Sequence, residues 1–104
     1  MTISTYDELV SQLTTQPGVS AGKMFGMPTV KFGRKAFAGR IEGDMVFKLA
    51  GEQLERALAI EGAHLFDPMG GRPMKEWVVV PAAQAERWEE LADAALEYIA
   101  RLPQ

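Results

Sequence analysis

The pair Gly22-Lys23 is the feature of the sequence closest to a known catalytic motif, because glycine followed by lysine closes the phosphate-holding loop of many nucleotide-binding proteins. That loop also needs a glycine five residues before the second glycine, and a serine or threonine after the lysine whose hydroxyl binds magnesium. Here Pro17 occupies the first of these positions and Met24 the last. The sequence therefore does not contain a phosphate loop of this type.

The segment Met24-Phe25-Gly26 is better explained as part of a sheet. Two apolar residues precede the glycine, and glycine within a strand pattern usually marks a bulge or a close approach of the backbone. We therefore predict a short strand or the entry to a strand, a bend at Gly26 and an end to strand pairing at Met27-Pro28. A direct contact with a ligand is the alternative.

Two other combinations of side chains could carry chemistry. His64 is the only histidine and the chain has no cysteine, so a metal site would have to join one imidazole to carboxylates such as Glu61 or Asp67. A hydrolase triad could be written from Ser20, His64 and Asp67, yet the neighbours of Ser20 do not form a nucleophile motif. We therefore expect no enzymatic activity, no metal and no cofactor.

Composition describes an ordinary globular protein. The chain has 104 residues, 47% of them hydrophobic and 24% charged, with a net charge of −3. These values predict a single domain spanning residues 1–104. The N-terminus lacks the basic start and the apolar stretch of a signal peptide, and no apolar run reaches the ~18 residues of a membrane span. We expect a cytoplasmic protein without a membrane contact.

Charge is distributed unevenly along the chain. Residues 22–48 carry six cations and two anions, whereas residues 49–104 carry five cations and ten anions. A basic middle and an acidic second half form a dipole that can steer a charged partner, unlike the uniformly basic surface of many nucleic-acid-binding proteins.

The helices that must position these groups follow from capping and periodicity. A first helix is predicted to begin at the capping box that starts with Thr5 and to end at Pro17-Gly18. A second helix is predicted at about 51–60. A third is predicted at 82–102, where apolar residues recur at three- and four-residue spacing and must be buried.

The strands complete the predicted fold. Two short strands are expected at 65–66 and 76–80, on either side of a glycine- and proline-rich loop at 67–73. Three more are expected between the first two helices. The predicted order is α-β-β-β-α-β-β-α, which is an α+β fold with helices packed on an antiparallel sheet.

The first central hairpin is predicted from the segment Phe32-Gly33-Arg34-Lys35. Glycine at its first central position suits a two-residue type II′ turn, which requires a positive φ there. In that register Phe32 faces Lys35, and Val30 faces Phe37.

The second hairpin is predicted to turn through the three residues Glu42-Gly43-Asp44, so that Ile41 pairs with Met45. This register puts the larger apolar side chains on one face, namely Val30, Phe32, Phe37, Ile41, Met45, Phe47 and Leu49. The other face is predicted to hold Thr29, Lys31, Ala36, Ala38, Arg40, Val46 and Lys48. A two-residue loop is the alternative.

Four cations form a candidate surface for binding a partner. Lys31, Arg40 and Lys48 are predicted to project from one sheet face, with Arg34 at the tip of the hairpin. They could attract an acidic protein or a nucleic-acid backbone, or they could serve only to prevent edge-to-edge pairing of sheets. Because the predicted face carries no aromatic side chain on which a base could stack, we do not expect direct binding of nucleic acid.

The loop at 67–73 marks a second candidate site. A loop of this length is uncommon in so small a domain and such loops often carry function. A pocket between the loop and the sheet would lie near His64, Arg72 and Lys75.

Several short motifs together resemble one known family. They are Met24-Phe25-Gly26, the Gly33 turn followed by Ala36-Phe37-Ala38, Asp44-x-x-Phe47-Lys48-Leu49, Phe66-x-Pro68, Met74-x-x-Trp77 leading to Val80-Pro81, and the helix that contains Trp88. In order and spacing, they resemble the N-terminal domain of the bacterial TfoX/Sxy competence regulators over nearly the whole chain, from about Thr5 to Leu102.

The resemblance implies an α+β domain and, in full-length relatives, a role in switching on DNA-uptake genes alongside a cyclic-AMP-responsive activator. Those regulators carry a second, helical domain at the C-terminus, whereas this sequence resembles the first domain alone. We therefore expect a stand-alone module. The family brings no known catalytic residues, which agrees with the expectation drawn from the residues.

Two functions follow from the sequence. The first is a non-enzymatic interaction or regulatory module that binds a protein partner, or a second copy of itself, through the basic surface or an exposed sheet edge. The alternative is a small-molecule-binding or enzymatic domain that uses the pocket near the loop.

Overall fold

Six strands and three α-helices follow one another in the described chain as one helix, four strands, one helix, two strands and one helix. The structure is a computed structural model that describes residues 6–24, 26–67, 70–71 and 73–102. The elements are α1 (Tyr6–Leu13), β1 (Val19–Met24), β2 (Met27–Phe32), β3 (Lys35–Ile41), β4 (Asp44–Lys48), α2 (Gly51–Leu58), β5 (His64–Phe66), β6 (Met74–Val80), a 3₁₀ helix (Ala82–Arg87) and α3 (Trp88–Ala100). Four residues used in the predictions, Thr5, Phe25, Pro68 and Arg72, lie outside the described residues.

The strands form one sheet in the order β1-β2-β3-β4-β6-β5, and every neighbouring pair is antiparallel. The predicted α+β class with helices on an antiparallel sheet is therefore confirmed. β1 and β5 are the edge strands.

The sheet holds one strand more than predicted before α2. β1 consists largely of small and polar residues and pairs with β2 along its whole length. Gly26 has a φ of 79°, which allows a tight reversal between Met24 and Met27. The predicted end of pairing at Met27-Pro28 is wrong, because these residues open β2 and face Met24 and Lys23.

All three α-helices pack on one side of the sheet, here called the helix-covered face. Their buried residues include Leu9 and Leu13 of α1, Ala57 of α2 and Trp88 of α3. The sheet contributes Val30, Phe37, Ala38, Met45, Phe47, Val78 and Val80 to the same core. Removing these apolar side chains from water is the main favourable contribution to folding.

The opposite side of the sheet, here called the outer face, buries a second apolar cluster. Its buried members are Val46, Phe66, Trp77 and Val79, all from strands. Phe66 on β5 and Met27 on β2 line the same pocket, although three strands lie between their own two strands. The sheet is therefore strongly twisted and curls over its outer face, which shields the cluster without a covering helix.

The turn between β3 and β4 is one residue shorter than predicted. Ile41 pairs with Asp44 and Arg40 pairs with Met45, so the loop contains only Glu42 and Gly43. Glu42 has a φ of 55°, a left-handed conformation that is uncommon for a residue other than glycine. The three-residue loop is thus wrong, and the chain uses the two-residue alternative.

A β-bulge at Phe37 offsets the shorter turn. Val30 pairs with Ala38 and Lys31 pairs with Ala36, which leaves Phe37 as the extra residue of β3. The predicted pairing of Val30 with Phe37 is therefore wrong. Phe37 and Ala38 both contribute to the core of the helix-covered face. The bulge keeps the large aromatic side chain on the buried side.

The bulge and the shorter turn also exchange three positions between the faces. Ala38 and Arg40 were predicted on the outer face, yet Ala38 joins the helix-covered core and Arg40 pairs with Met45 of that core. Ile41 was predicted to face inward, and it packs instead against the cluster on the outer face. The predicted pairing of Phe32 with Lys35 is confirmed.

The predicted third helix is confirmed only from Trp88 onward. Residues 82–87 form a 3₁₀ helix, in which Gln84 has non-helical dihedral angles. The carboxylate of Asp44 accepts a hydrogen bond from the backbone N–H of Ala82 at 2.8 Å, which joins the start of this segment to β4. The apolar stripe of α3 is buried as predicted, at Trp88, Leu91, Ala92, Ala95 and Ile99.

Candidate functional site

The cations of the strand region lie on both sides of the sheet. Lys31 pairs with Ala36, and Lys48 pairs with Trp77, which places both lysines on the outer face. Arg34 is exposed in the turn between β2 and β3. Lys31, Arg34 and Lys48 are here called the basic surface.

Arg40 does not belong to this surface, contrary to the prediction. Its guanidinium carbon lies 5.9 Å from the centre of the Tyr6 ring of α1, on the side of the sheet that carries the helices. Burial raises the pKa of Tyr6, and the positive charge of Arg40 opposes that rise. The shorter β3–β4 turn is the cause, because it pairs Arg40 with the core residue Met45.

The basic surface is free of ion pairs within the described residues. Ion pairs there join Arg56 to Glu52, Arg87 to Glu90 and Arg101 to Glu97, and each pair lies within the helical segments. Lys48 instead makes a cation–π contact, with its Nζ 5.8 Å from the centre of the Trp77 ring. No anion among the residues that the structure describes therefore pairs with Lys48.

Aromatic side chains do occur on the outer face, contrary to the sequence prediction. Trp77 and Phe66 were not assigned to it because the predicted face was built from β2 to β4 alone. Both rings are nevertheless nearly inaccessible, with relative exposures of 6% and 8%. A nucleic-acid base could not stack on them without local opening of the sheet.

A pocket of about 390 Å³ lies at the end of the sheet that carries the β3–β4 turn. Its lining consists of the apolar residues Met27, Pro28, Ile41 and Phe66, the charged residues Arg40 and Glu42, and Gly26. No local sequence pattern indicates this pocket, because the curl of the sheet brings residues from β2, β3 and β5 together.

Thr29 is a buried polar residue two positions after Met27, which lines this pocket. It is fully buried, and its hydroxyl has no hydrogen-bond partner among the described residues. Its direct partners in the sheet are Gly22 on β1 and Gly39 on β3. Buried hydroxyl groups are nearly always hydrogen-bonded, so this one stands out.

The site predicted near the 67–73 loop is described only in part. His64 is exposed at the start of β5, with its Nδ1 3.2 Å from the carbonyl oxygen of Gly62. Lys75 is exposed on β6. The carboxylate of Asp67 accepts a hydrogen bond from the N–H of Gly71 at 2.8 Å, which closes the described part of the loop. The pocket described above is lined by other residues.

For the hydrolase triad considered from the sequence, the structure places Ser20 on β1 and His64 on β5, which are the two edge strands of the sheet. Within the described part of the chain, no group of three or more potential ligating side chains is placed to hold a metal ion. Nor does any helix in that part combine the length and apolar content needed to cross a membrane.

The residues that carry the family resemblance occupy several environments. Phe37, Phe47 and Trp88 are buried in the helix-covered core. Phe66 and Trp77 belong to the cluster on the outer face, where Met74 is partly buried. Met24 ends β1, Gly26 lies in the following turn, and Lys48 ends β4. Pro81 directly precedes the 3₁₀ helix.

Comparisons with known proteins do not identify the chain. No family model matches it, and neither a curated protein nor a solved structure does so. The resemblance to the TfoX/Sxy family therefore stays a prediction.

Proposed function

We propose that the chain is a non-enzymatic interaction module that binds an acidic protein partner through Lys31, Arg34 and Lys48. The observation that carries this proposal is the charge balance of the basic surface. None of its three cations has an ion pair among the described residues, whereas the ion pairs found there stabilise helices on the other face. Unneutralised charge of one sign raises the association rate of an oppositely charged partner.

The partner is proposed to be a protein and not a nucleic acid. The whole chain carries a net charge of −3, unlike the extensively basic surface of many nucleic-acid-binding proteins. The aromatic rings of the outer face are buried, which leaves no accessible platform for base stacking. A second copy of the chain could offer its acidic helices, and this occupant is distinguished by the experiment below.

The resemblance to TfoX/Sxy regulators extends the proposal. It suggests a cytoplasmic regulatory module that acts on transcription or competence through a protein partner.

The proposal is tested with two matched variants. One carries Lys31→Gln, Arg34→Gln and Lys48→Gln, and the other carries Arg56→Gln, Arg87→Gln and Arg101→Gln. Each loses three positive charges, but only the first alters the basic surface. Tagged proteins are incubated with lysate from the native cells, and captured proteins are identified by mass spectrometry.

We expect the wild type and the helix variant to capture the same acidic protein, and the basic-surface variant to lose it. Equal capture by all three proteins would contradict the proposal. If sedimentation shows that the wild type is a dimer and the basic-surface variant is a monomer, the partner is instead a second copy of the chain.

A further inference from the structure

The pocket at the β3–β4 turn has the composition of a small-molecule site. Its volume of about 390 Å³ falls within the ~300–1,000 Å³ that is typical of ligand pockets. Met27, Ile41 and Phe66 provide apolar walls, while Arg40 supplies the only cation in the lining. Arg40 has no ion pair among the described residues.

The floor next to this pocket is built from residues with little or no side chain. Gly22, Thr29 and Gly39 are directly paired across β1, β2 and β3. Neither glycine has a positive φ, so the backbone conformation does not require glycine at either position. What the two glycines provide is space on the outer face of the sheet.

Two flexible side chains occupy that space. A methyl group at position 39 would stand 3.2 Å from Cε of Met27, and one at position 22 would stand 3.0 Å from Cε of Lys31. Both covering side chains are long and unbranched, and a methionine changes rotamer at low cost. Because Met27 also lines the pocket, its rotation would join the pocket to the glycine floor.

The side chain of Thr29 lies on this floor. Cγ2 of Thr29 would stand 3.3 Å from a methyl group placed at position 39, and Met27 covers the same position. The hydroxyl is buried without a partner among the described residues, although it can both donate and accept a hydrogen bond. A ligand that displaces Met27 would reach a polar group that the protein itself leaves unsatisfied.

We infer that this region binds a small amphipathic monocarboxylate with a hydroxyl or carbonyl group at the end opposite its carboxylate. The carboxylate pairs with Arg40, whose guanidinium turns from the Tyr6 ring toward the pocket that Arg40 also lines. The apolar body lies between Ile41 and Phe66, and the distal polar group bonds to Thr29. Glu42 lies in the same lining and disfavours ligands with two or three negative charges. The chemistry therefore favours a hydroxy or keto acid over a phosphate.

The test compares pairs of probes that differ by one hydroxyl. The probes are 4-hydroxyphenylacetate against phenylacetate and 4-hydroxybenzoate against benzoate, with inorganic phosphate as the dianionic comparison. Affinities are measured by titration of the ¹⁵N-labelled protein and by calorimetry. We expect a hydroxylated acid to bind about tenfold more tightly than its parent acid, and phosphate not to bind.

Three variants locate the contacts. Arg40→Gln should weaken both members of a probe pair about tenfold, whereas Arg56→Gln, the same change on α2, should leave affinity unchanged. Thr29→Val should abolish the advantage of the hydroxylated acid and should also raise the melting temperature of the free protein. The inference is wrong if no hydroxy acid binds up to millimolar concentration, or if the hydroxyl advantage persists in Thr29→Val.

Discussion

Thr29 and Gly39 face each other on β2 and β3, and they are packed so closely that a methyl group at position 39 would stand 3.3 Å from Cγ2 of Thr29. The same methyl would stand 3.1 Å from the carbonyl oxygen of Pro28. Backbone atoms of a paired strand cannot move aside as the end of a side chain can. Packing, and not the dihedral angles, therefore favours glycine at position 39.

Gly39→Ala should lower the free energy of unfolding by about 1–3 kcal/mol, because overpacking a buried sheet position forces the strands apart. Gly43→Ala is the matched control, since a methyl at position 43 would meet no atom within 4 Å and Gly43 has no positive φ. Urea unfolding measures both. Similar stability of the two variants would show that β2 and β3 are less closely packed than described.

Glu42 provides a second test of the backbone. A left-handed φ costs a residue with a side chain about 1–2 kcal/mol, which glycine avoids. Glu42→Gly should therefore raise the free energy of unfolding by up to about 1 kcal/mol, after allowance for the greater entropy of the unfolded chain. Glu42→Ala removes the same carboxylate but keeps the strain, so it should give no such gain. Equal effects would contradict the two-residue turn.

The bulge at Phe37 predicts a large difference between two phenylalanines. Phe37 is fully buried in the helix-covered core, whereas Phe32 is only partly buried against it. Phe37→Ala should cost about 3–5 kcal/mol of unfolding free energy, and Phe32→Ala clearly less. Chemical denaturation of both variants gives the comparison. An equally small loss at both positions would place Phe37 outside the core.

These residues also show how far the sequence could predict the fold. Periodicity and turn residues predicted the class, the helices and the inward position of Phe37. They failed at Glu42 and at the bulge, because the three-residue loop was chosen to place the large apolar residues on one face, and the alternation rule assumed an unbroken strand. The turn was predicted one residue too long and the one-residue bulge was missed, and these two errors offset each other at Phe37. They still left Ala38, Arg40 and Ile41 assigned to the wrong faces.

β1 and the candidate sites were harder to predict. β1 lacks the alternation of large apolar residues that identifies a strand, and pairing with β2 holds it in the sheet. The pocket depends on the curl of the sheet, which brings Phe66 to Met27 across three intervening strands. Twist of that kind is a property of the assembled sheet and leaves no local pattern in the sequence.

Tyr98 links α3 to β6 and should make stability depend on pH. Its hydroxyl donates to the carboxylate of Glu76, at 3.0 and 2.9 Å from the two oxygens. Burial, followed by the hydrogen bond and charge of Glu76, raises the pKa of Tyr98 above its ordinary 10.0. The protonated form is favoured in the folded state. The contribution of the protonated Tyr98 hydroxyl to the free energy of unfolding is therefore complete below about pH 10, where tyrosine in the unfolded chain ionises. This contribution is lost as the pH rises through the raised pKa of the folded protein.

Tyr98→Phe should lower the free energy of unfolding by about 1 kcal/mol near neutral pH, because the partly exposed hydrogen bond to a carboxylate is lost. The difference between the wild type and the variant should shrink above about pH 10. The ionisation of Tyr6 affects the wild type and the variant equally, so it does not change the difference between their free energies of unfolding. A difference that stays constant as the pH rises well above 10 would contradict this assignment.

The most direct measurement of the proposed binding surface is an NMR titration of the ¹⁵N-labelled protein with a short poly-glutamate peptide. The account predicts that amide signals at 30–36 and 46–49 shift, that added salt weakens the effect, and that the variant carrying Lys31→Gln, Arg34→Gln and Lys48→Gln no longer responds. Shifts confined to the helices, or an unchanged response from that variant, would contradict it.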